Sequence, residues 1–176
     1  HGQQEARPNR VGWESRKDEV QRMCLMSNLE IETSRFGTVS VDGDRVLEFP
    51  SGLLGFAHAT RWVLLQPDEE GCFYWFQSCD QEDLAFVVTD PQYWVPDFEA
   101  IIRREQLEEL GANQIEDAQV FVIVNRYQNT LTANLQGPLV VGTASRRGMQ
   151  LVLAEKRWTT RHVIVELEAA SAARTA

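Results

Sequence analysis

From Leu29 onward, apolar and polar residues alternate in short runs, and nearly every run stops at a turn-forming residue. Ile31, Thr33 and Arg35 fall on one side of an extended segment, and Glu30, Glu32 and Ser34 on the other. A period of two with turn signals between runs is the pattern of half-buried strands, not of helices. Val39 and Val41 continue it, Asp42-Gly43-Asp44 predicts a hairpin turn, and Arg45 to Phe49 predicts the returning strand, ended by Pro50. Further strands are predicted at 62–65, 73–78, 84–89, 120–127, 131–135, 139–143, 150–153 and 162–165. The acidic turns Asp68-Glu69-Glu70-Gly71 and Asp80-Gln81-Glu82-Asp83 and the basic turn Ser145-Arg146-Arg147-Gly148 separate neighbours. Roughly ten short strands at this spacing predict a mainly β fold: a single small antiparallel β-barrel-like domain. One short helical insert interrupts it, with helix formers from Arg104 to Leu110, a cap at or near Asp97, and Gly111 as its C-terminal stop.

The chain has 176 residues, 43% of them hydrophobic, which is one domain's worth with enough apolar material for a core. Residues 28–166 are expected to form the β domain. Residues 1–27 are a polar extension, either disordered or a short helix through Trp13, Val20, Met23 and Cys24, and residues 167–176 are an Ala-rich flexible tail. Residues 1–22 lack the apolar stretch of a signal peptide, and no apolar run approaches the ~18 residues of a membrane span. Cys24, Cys72 and Cys79 are odd in number and form no CxxC, so they read as reduced thiols in a cytoplasmic protein.

Charge is concentrated. Residues 68–117 carry 14 acidic side chains against Arg103 and Arg104, a net −12 within a chain whose total is −9. Such a segment repels phosphate, which opposes direct nucleic-acid binding. It is either a solvated surface or a face that steers a basic protein.

Catalytic and metal chemistry find little support. Ser78, His162 and Asp90 would assemble a triad only on paper, since no G-x-S-x-G elbow fixes the serine. His58 and His162 are isolated, the His and Cys residues are scattered, and no EF-hand order surrounds Asp80, Glu82 and Asp83. No catalytic residue, metal ligand or cofactor is therefore assigned. The quartet Phe73-Tyr74-Trp75-Phe76 lacks the basic groove of a stacking platform. Its alternate members are expected to split between the core and a second surface, with Trp62, Phe86 and Phe121 also in the core. In Gly52-Leu53-Leu54-Gly55-Phe56, the two glycines permit tight turns, which either push Leu54 or Phe56 outward as an apolar anchor or leave them packed in the core.

Six strings in order carry a family resemblance: Thr33-Ser34-Arg35-Phe36-Gly37, Phe49-Pro50-x-Gly52-Leu53-x-Gly55-Phe56, Phe73-Tyr74-Trp75-x-Gln77-Ser78, Phe86-x-x-Thr89-Asp90-Pro91, Thr132-Ala133-Asn134-Leu135-x-x-Pro138 and Arg161-His162. From about Leu29 to Val163 the chain resembles the flagellar assembly factor FliW family. Gln136-Gly137, Gly142, residues 1–27 and the tail depart from it. The resemblance implies a non-enzymatic protein that binds the RNA-binding translational regulator CsrA, relieves repression of flagellin synthesis, and binds flagellin. The candidate partner-binding residues are Leu54, Phe56, Glu69, Glu70, Asp80, Glu82 and Asp83. The alternative is a small-molecule-binding β-barrel sensor or enzyme, which a core filled by Trp62, Trp75, Phe86 and Phe121 would oppose.

Overall fold

The computed structural model describes residues 28–66 and 69–167. The expected polar extension and all of the expected tail beyond Leu167 lie outside these residues. Leu167 itself is tied down, since its N–H donates to the Asn129 carbonyl at 2.7 Å.

Eleven strands build the domain among the described residues. β1 (Asn28–Thr33) and β2 (Gly37–Asp42) form a separate antiparallel hairpin. Its turn is Ser34-Arg35-Phe36, closed by Thr33 Oγ1, which accepts from Phe36 N and donates to Gly37 O, both at 2.8 Å. The main sheet takes β3 (Leu47–Glu48), β4 (Arg61–Leu65), β5 (Phe73–Ser78), β6 (Ala85–Thr89) and β7 (Ala118–Tyr127) in consecutive antiparallel order. The long β7 then serves two partners. Its first half pairs with β9 (Leu139–Gly142) and its second half with β8 (Thr130–Ala133). β10 (Gly148–Gln150) flanks β9, and β11 (His162–Glu166) flanks β8. The result is a curled antiparallel half-barrel, as the alternation predicts.

Three expectations are corrected. Asp42-Gly43-Asp44 is not a hairpin turn, because β3 pairs with β4 and not with β2. Asp42 instead accepts from Asp44 N at 3.0 Å and opens a 3-10 turn at Gly43–Arg45, which carries the chain from the hairpin to the sheet. The expected strand at 150–153 is β10, three residues earlier at its end. Pairing past Gln150 continues only as isolated bonds from Leu151 N to Pro138 O and Leu153 N to Gln136 O, each 2.8 Å. The described residues also hold two α-helices where one insert is expected. α1 (Pro91–Trp94) starts at Asp90, whose carboxylate accepts from Gln92 N at 2.9 Å, with proline at the first helical position where no N–H is needed. α2 (Arg104–Glu109) is the predicted one, followed by Leu110 and Gly111. Its start is closed by Gln106 Oε1 accepting from Arg103 N at 2.8 Å, so Asp97 is not the cap. Asp97 is ion-paired with Arg157.

Two cores lie against the sheet. The first centres on Trp62, Phe49 and Phe76, all at most 1% exposed. Trp62 stacks on Phe76 with centroids 4.5 Å apart, and Phe49 meets Phe76 edge-on at 5.3 Å. Phe121 is buried with them, and Phe86 packs against them. The second core joins α2, the segment before it and β7 to β9, with Phe98 edge-on to Trp158 at 4.9 Å. A smaller cluster of Ile31, Val41 and Val63 holds the β1–β2 hairpin against β4. The quartet on β5 splits as a strand requires. Tyr74 and Phe76 turn to the first core. On the opposite face Phe73 stacks with Trp94, while Trp75 meets Phe36 edge-on at 6.2 Å, beneath the Arg35 guanidinium.

Candidate interaction surfaces

The loop between β3 and β4 is built around one tight turn. Leu53 N donates to Phe56 O at 3.2 Å, and Phe56 N returns a bond to Leu53 O at 2.8 Å. Leu54 and Gly55 therefore form its tip. Leu54 is 65% exposed, and its N–H donates to Gln150 Oε1 at 2.8 Å. Phe56 turns inward and meets Phe86 edge-on at 5.4 Å. The anchor that the glycines push outward is thus Leu54, not Phe56.

The β5–β6 turn is held from below by two buried side chains. Ser78 Oγ accepts from Asp80 N and Gln81 N, at 3.2 and 3.1 Å. Gln77, fully buried, aims its Nε2 at the carbonyls of Gln81, Glu82 and Leu84, at 3.4, 3.2 and 3.2 Å. The hairpin docks on the same turn through Ser34 N, which donates to Glu82 O at 3.0 Å. His58 Nε2 lies 3.2 Å from Gln81 Oε1, which ties the turn to the Leu54 loop. With its backbone occupied in this way, the turn projects the side chains of Asp80, Glu82 and Asp83 into solvent.

These acids are not equivalent. Arg61 binds Asp80, with Nε 3.2 Å from Oδ2 and a second, closer contact from Nη2 to Oδ1. The hydrogen bond from Arg61 holds the Asp80 carboxyl below its ordinary range. A lowered folded-state value means the pair's contribution is complete above the ordinary aspartate value near pH 4 and fades as pH falls through the lowered one. Both groups are about half exposed, so that contribution is small. Among the described residues, no cation pairs with Glu82 or Asp83, so their charge is free to act on a partner. Beside Asp80, burial pushes the Cys79 thiol up to about 11, which keeps it protonated and unreactive at neutral pH.

Glu69 and Glu70 are exposed, but they precede β5 whereas Asp80, Glu82 and Asp83 follow it. Six strand residues at ~3.3 Å each put roughly 20 Å between the two groups. The seven candidate residues therefore occupy two ends of the sheet, with Leu54, Phe56, Asp80, Glu82 and Asp83 at one and Glu69 and Glu70 at the other.

The paper triad has other employment. Ser78 and Asp90 cap turns, and His162 lies in β11 opposite Ala133. No group of His, Cys, Asp or Glu among the described residues is arranged to hold a metal ion. No described helix is long and apolar enough to cross a membrane.

An exposed apolar patch elsewhere on the fold was not legible in the sequence. Ile101, Ile115 and Val152 are 65%, 58% and 66% exposed. Ile101 sits in irregular chain between buried Phe98 and Ile102, where no period distinguishes the inward isoleucine from the outward one. Only the adjacent pair Ile101-Ile102 hints that both cannot enter the core.

Residues 30–164 match the family model described as FliW protein. The chain belongs to the FliW family. A flagellar assembly factor FliW of Treponema denticola is 36% identical over 145 residues, covering 81% of this chain and 98% of that protein. The one from Alkaliphilus metalliredigens is 34% identical over 139 residues, covering 77% and 86%. A crystal structure of the flagellar assembly factor FliW superposes with a TM-score of 0.72 at 28% identity, over 80% of this chain and 99% of that one. In this FliW-family chain, the six strings that carry the resemblance are largely scaffold. Thr33 closes the hairpin, Gly52 and Gly55 shape the Leu54 loop, Gln77 and Ser78 hold the acidic turn, and Asp90-Pro91 starts α1.

Proposed function

We propose that the protein works by binding, without chemistry of its own, as a cytoplasmic antagonist of a CsrA-type translational regulator that also binds flagellin. The observation that carries this reading is the family match over residues 30–164, in a fold whose acidic turn presents Glu82 and Asp83 with no cation partner among the described residues. An RNA-binding regulator must be basic to hold phosphate, and an acidic turn attracts it and repels its messenger. Ligand binding inside the curled sheet is disfavoured, because Trp62, Phe76 and Phe49 occupy the space a barrel ligand would take.

Charges at the rim of an interface act chiefly on the rate of encounter. Reversing both Glu82→Lys and Asp83→Lys is expected to slow association with purified CsrA about fivefold at low salt and to flatten its salt dependence, with the melting temperature unchanged. Stopped-flow association at two ionic strengths reads this directly. An unchanged rate in both salts would move the contact to another face.

Leu54 offers an apolar anchor beside that turn, and its exposure separates binding from folding. Leu54→Asp is expected to raise the dissociation constant for CsrA or flagellin about tenfold or more, while melting stays within a degree or two of wild type. Calorimetric titration and a thermal melt of the same sample decide it. A collapse in melting temperature would assign Leu54 a packing role.

A further inference from the structure

Ile101, Ile115 and Val152, exposed outside the candidate loops, line neighbouring hollows of the surface. Ile101 lines two adjoining concavities, one shared with Val152 and the other with Ile115. The second is the larger, about 690 Å³. Phe98, Ala118 and Val120 line it together with three acidic residues, Glu99, Glu116 and Asp90, whose carboxylate keeps its charge while one oxygen caps α1. Among the described residues no lysine or arginine lines it, while Arg103 lines the adjoining, smaller one. Among the described residues, neither Glu99 nor Glu116 has an ion-pair partner.

Two isoleucines held in water across a groove are costly unless something covers them, and an exposed apolar patch with a polar rim marks an interaction site. The acidic lining decides what covers it. Three carboxylates among apolar side chains repel a second copy of this acidic chain and attract a cationic one. We propose that this groove seats an amphipathic basic segment of a partner protein, with its apolar side chains between Ile101 and Ile115 and its lysines or arginines against Asp90, Glu99 and Glu116. The surface is distinct from the one assigned to the regulator. Asp90 follows β6 and the Glu82–Asp83 turn precedes it, so the two lie at opposite ends of that strand. This second surface can therefore be occupied while the first is engaged, and its existence does not depend on the regulator reading.

The test uses the full chain and two short synthetic helical peptides, one of leucine and lysine and one of leucine and glutamate in the same pattern. Fluorescence anisotropy at low and high salt gives affinities, and amide chemical-shift mapping gives the location. The lysine peptide should bind about tenfold or more tighter than its glutamate twin, should weaken in high salt, and should shift the amides of residues 98–102 and 115–120. Ile101→Ser should cost about tenfold in that affinity, and Glu99→Lys with Glu116→Lys should reverse the preference between peptides. The reversal, made at exposed sites, reads out independently should Ile101→Ser lose stability. Equal binding of both peptides, shifts confined to other faces, or sedimentation as a dimer that Ile101→Ser dissolves would overturn the proposal, the last by showing a second copy to be the occupant.

Discussion

Gly52→Ala is expected to destabilise the fold by about 3 kcal/mol, while Gly55→Ala, three residues on, costs about 1 kcal/mol. Both glycines have positive φ, +64° and +84°. That conformation alone costs an L-residue about 1 kcal/mol or more. The difference lies in what a methyl group would meet. At Gly55 nothing lies within 4 Å of the new carbon, so strain is the whole cost. At Gly52 it would sit 2.3 Å from the Phe56 carbonyl oxygen and 2.7 Å from the Ala57 Cα, and both are backbone atoms. A side chain can rotate away, but here the loop itself must open, breaking the paired bonds between Leu53 and Phe56 that hold Leu54 at the tip. For a domain of this size the two variants should separate by about 6 °C in melting temperature. Because the loop carries Leu54, Gly52→Ala should also weaken partner binding, whereas Gly55→Ala should bind nearly as wild type. Thermal melts of the two variants side by side check this. Equal losses would mean that the close approach of Gly52 to Phe56 and Ala57 is relaxed in solution.

Elements whose determinants are local were legible in the sequence. The alternation from Leu29 to Thr33 follows from the pleat of a strand, and the buried pair Ile31 and Thr33 obeys it. Gly111 marked the end of α2 because a helix terminus has its own local chemistry. Elements decided by distant partners were not. Asp42-Gly43 is a strong hairpin signal, yet β2 already has β1 as its partner, and β3 finds β4 across a twelve-residue gap in the chain (49–60). At four residues, α1 is too short to show a period, and only the Asp90-Pro91 cap announces it. Linear charge was the most misleading quantity. The net −12 segment reads as one patch, but β5 divides Glu69 and Glu70 from the Asp80–Asp83 turn, and the fold spends other acids locally. Asp90 caps a helix, Asp97 binds Arg157, and Asp80 binds Arg61. Of the candidate surface residues, those beside glycines and turns could be placed from the sequence. Ile101 and Ile115 could not, because exposure in irregular chain depends on what packs beneath it.

The aromatic quartet offers the sharpest test of the half-barrel's two faces. Phe76→Ala is expected to cost about 4 kcal/mol, and Trp75→Ala, its larger neighbour, about 2 kcal/mol. Residue size predicts the opposite order. Phe76 is 1% exposed, stacked on Trp62 and met edge-on by Phe49, and those two rings are themselves fully buried. Removing it leaves a cavity walled by rings that cannot collapse, because Phe49 is also fixed against Gly148, where even one added carbon would lie 2.3 Å from its ring. Trp75 is only half-buried, on the face where the β1–β2 turn covers it with Phe36 and Arg35. Those residues are exposed and can settle into the space, so the loss is contact area and a cation–π interaction. The two variants also differ in reach. Phe76→Ala should weaken every element around the first core, including Phe49 at the base of the Leu54 loop, and should lower the global unfolding midpoint. Trp75→Ala should loosen mainly the hairpin, speeding amide exchange at Phe36 while leaving Val88 protected. Guanidinium unfolding of both variants with residue-resolved exchange measures each effect. A larger loss for Trp75→Ala would reverse the assignment of the two faces and place the closed core on the side of the sheet that carries the hairpin.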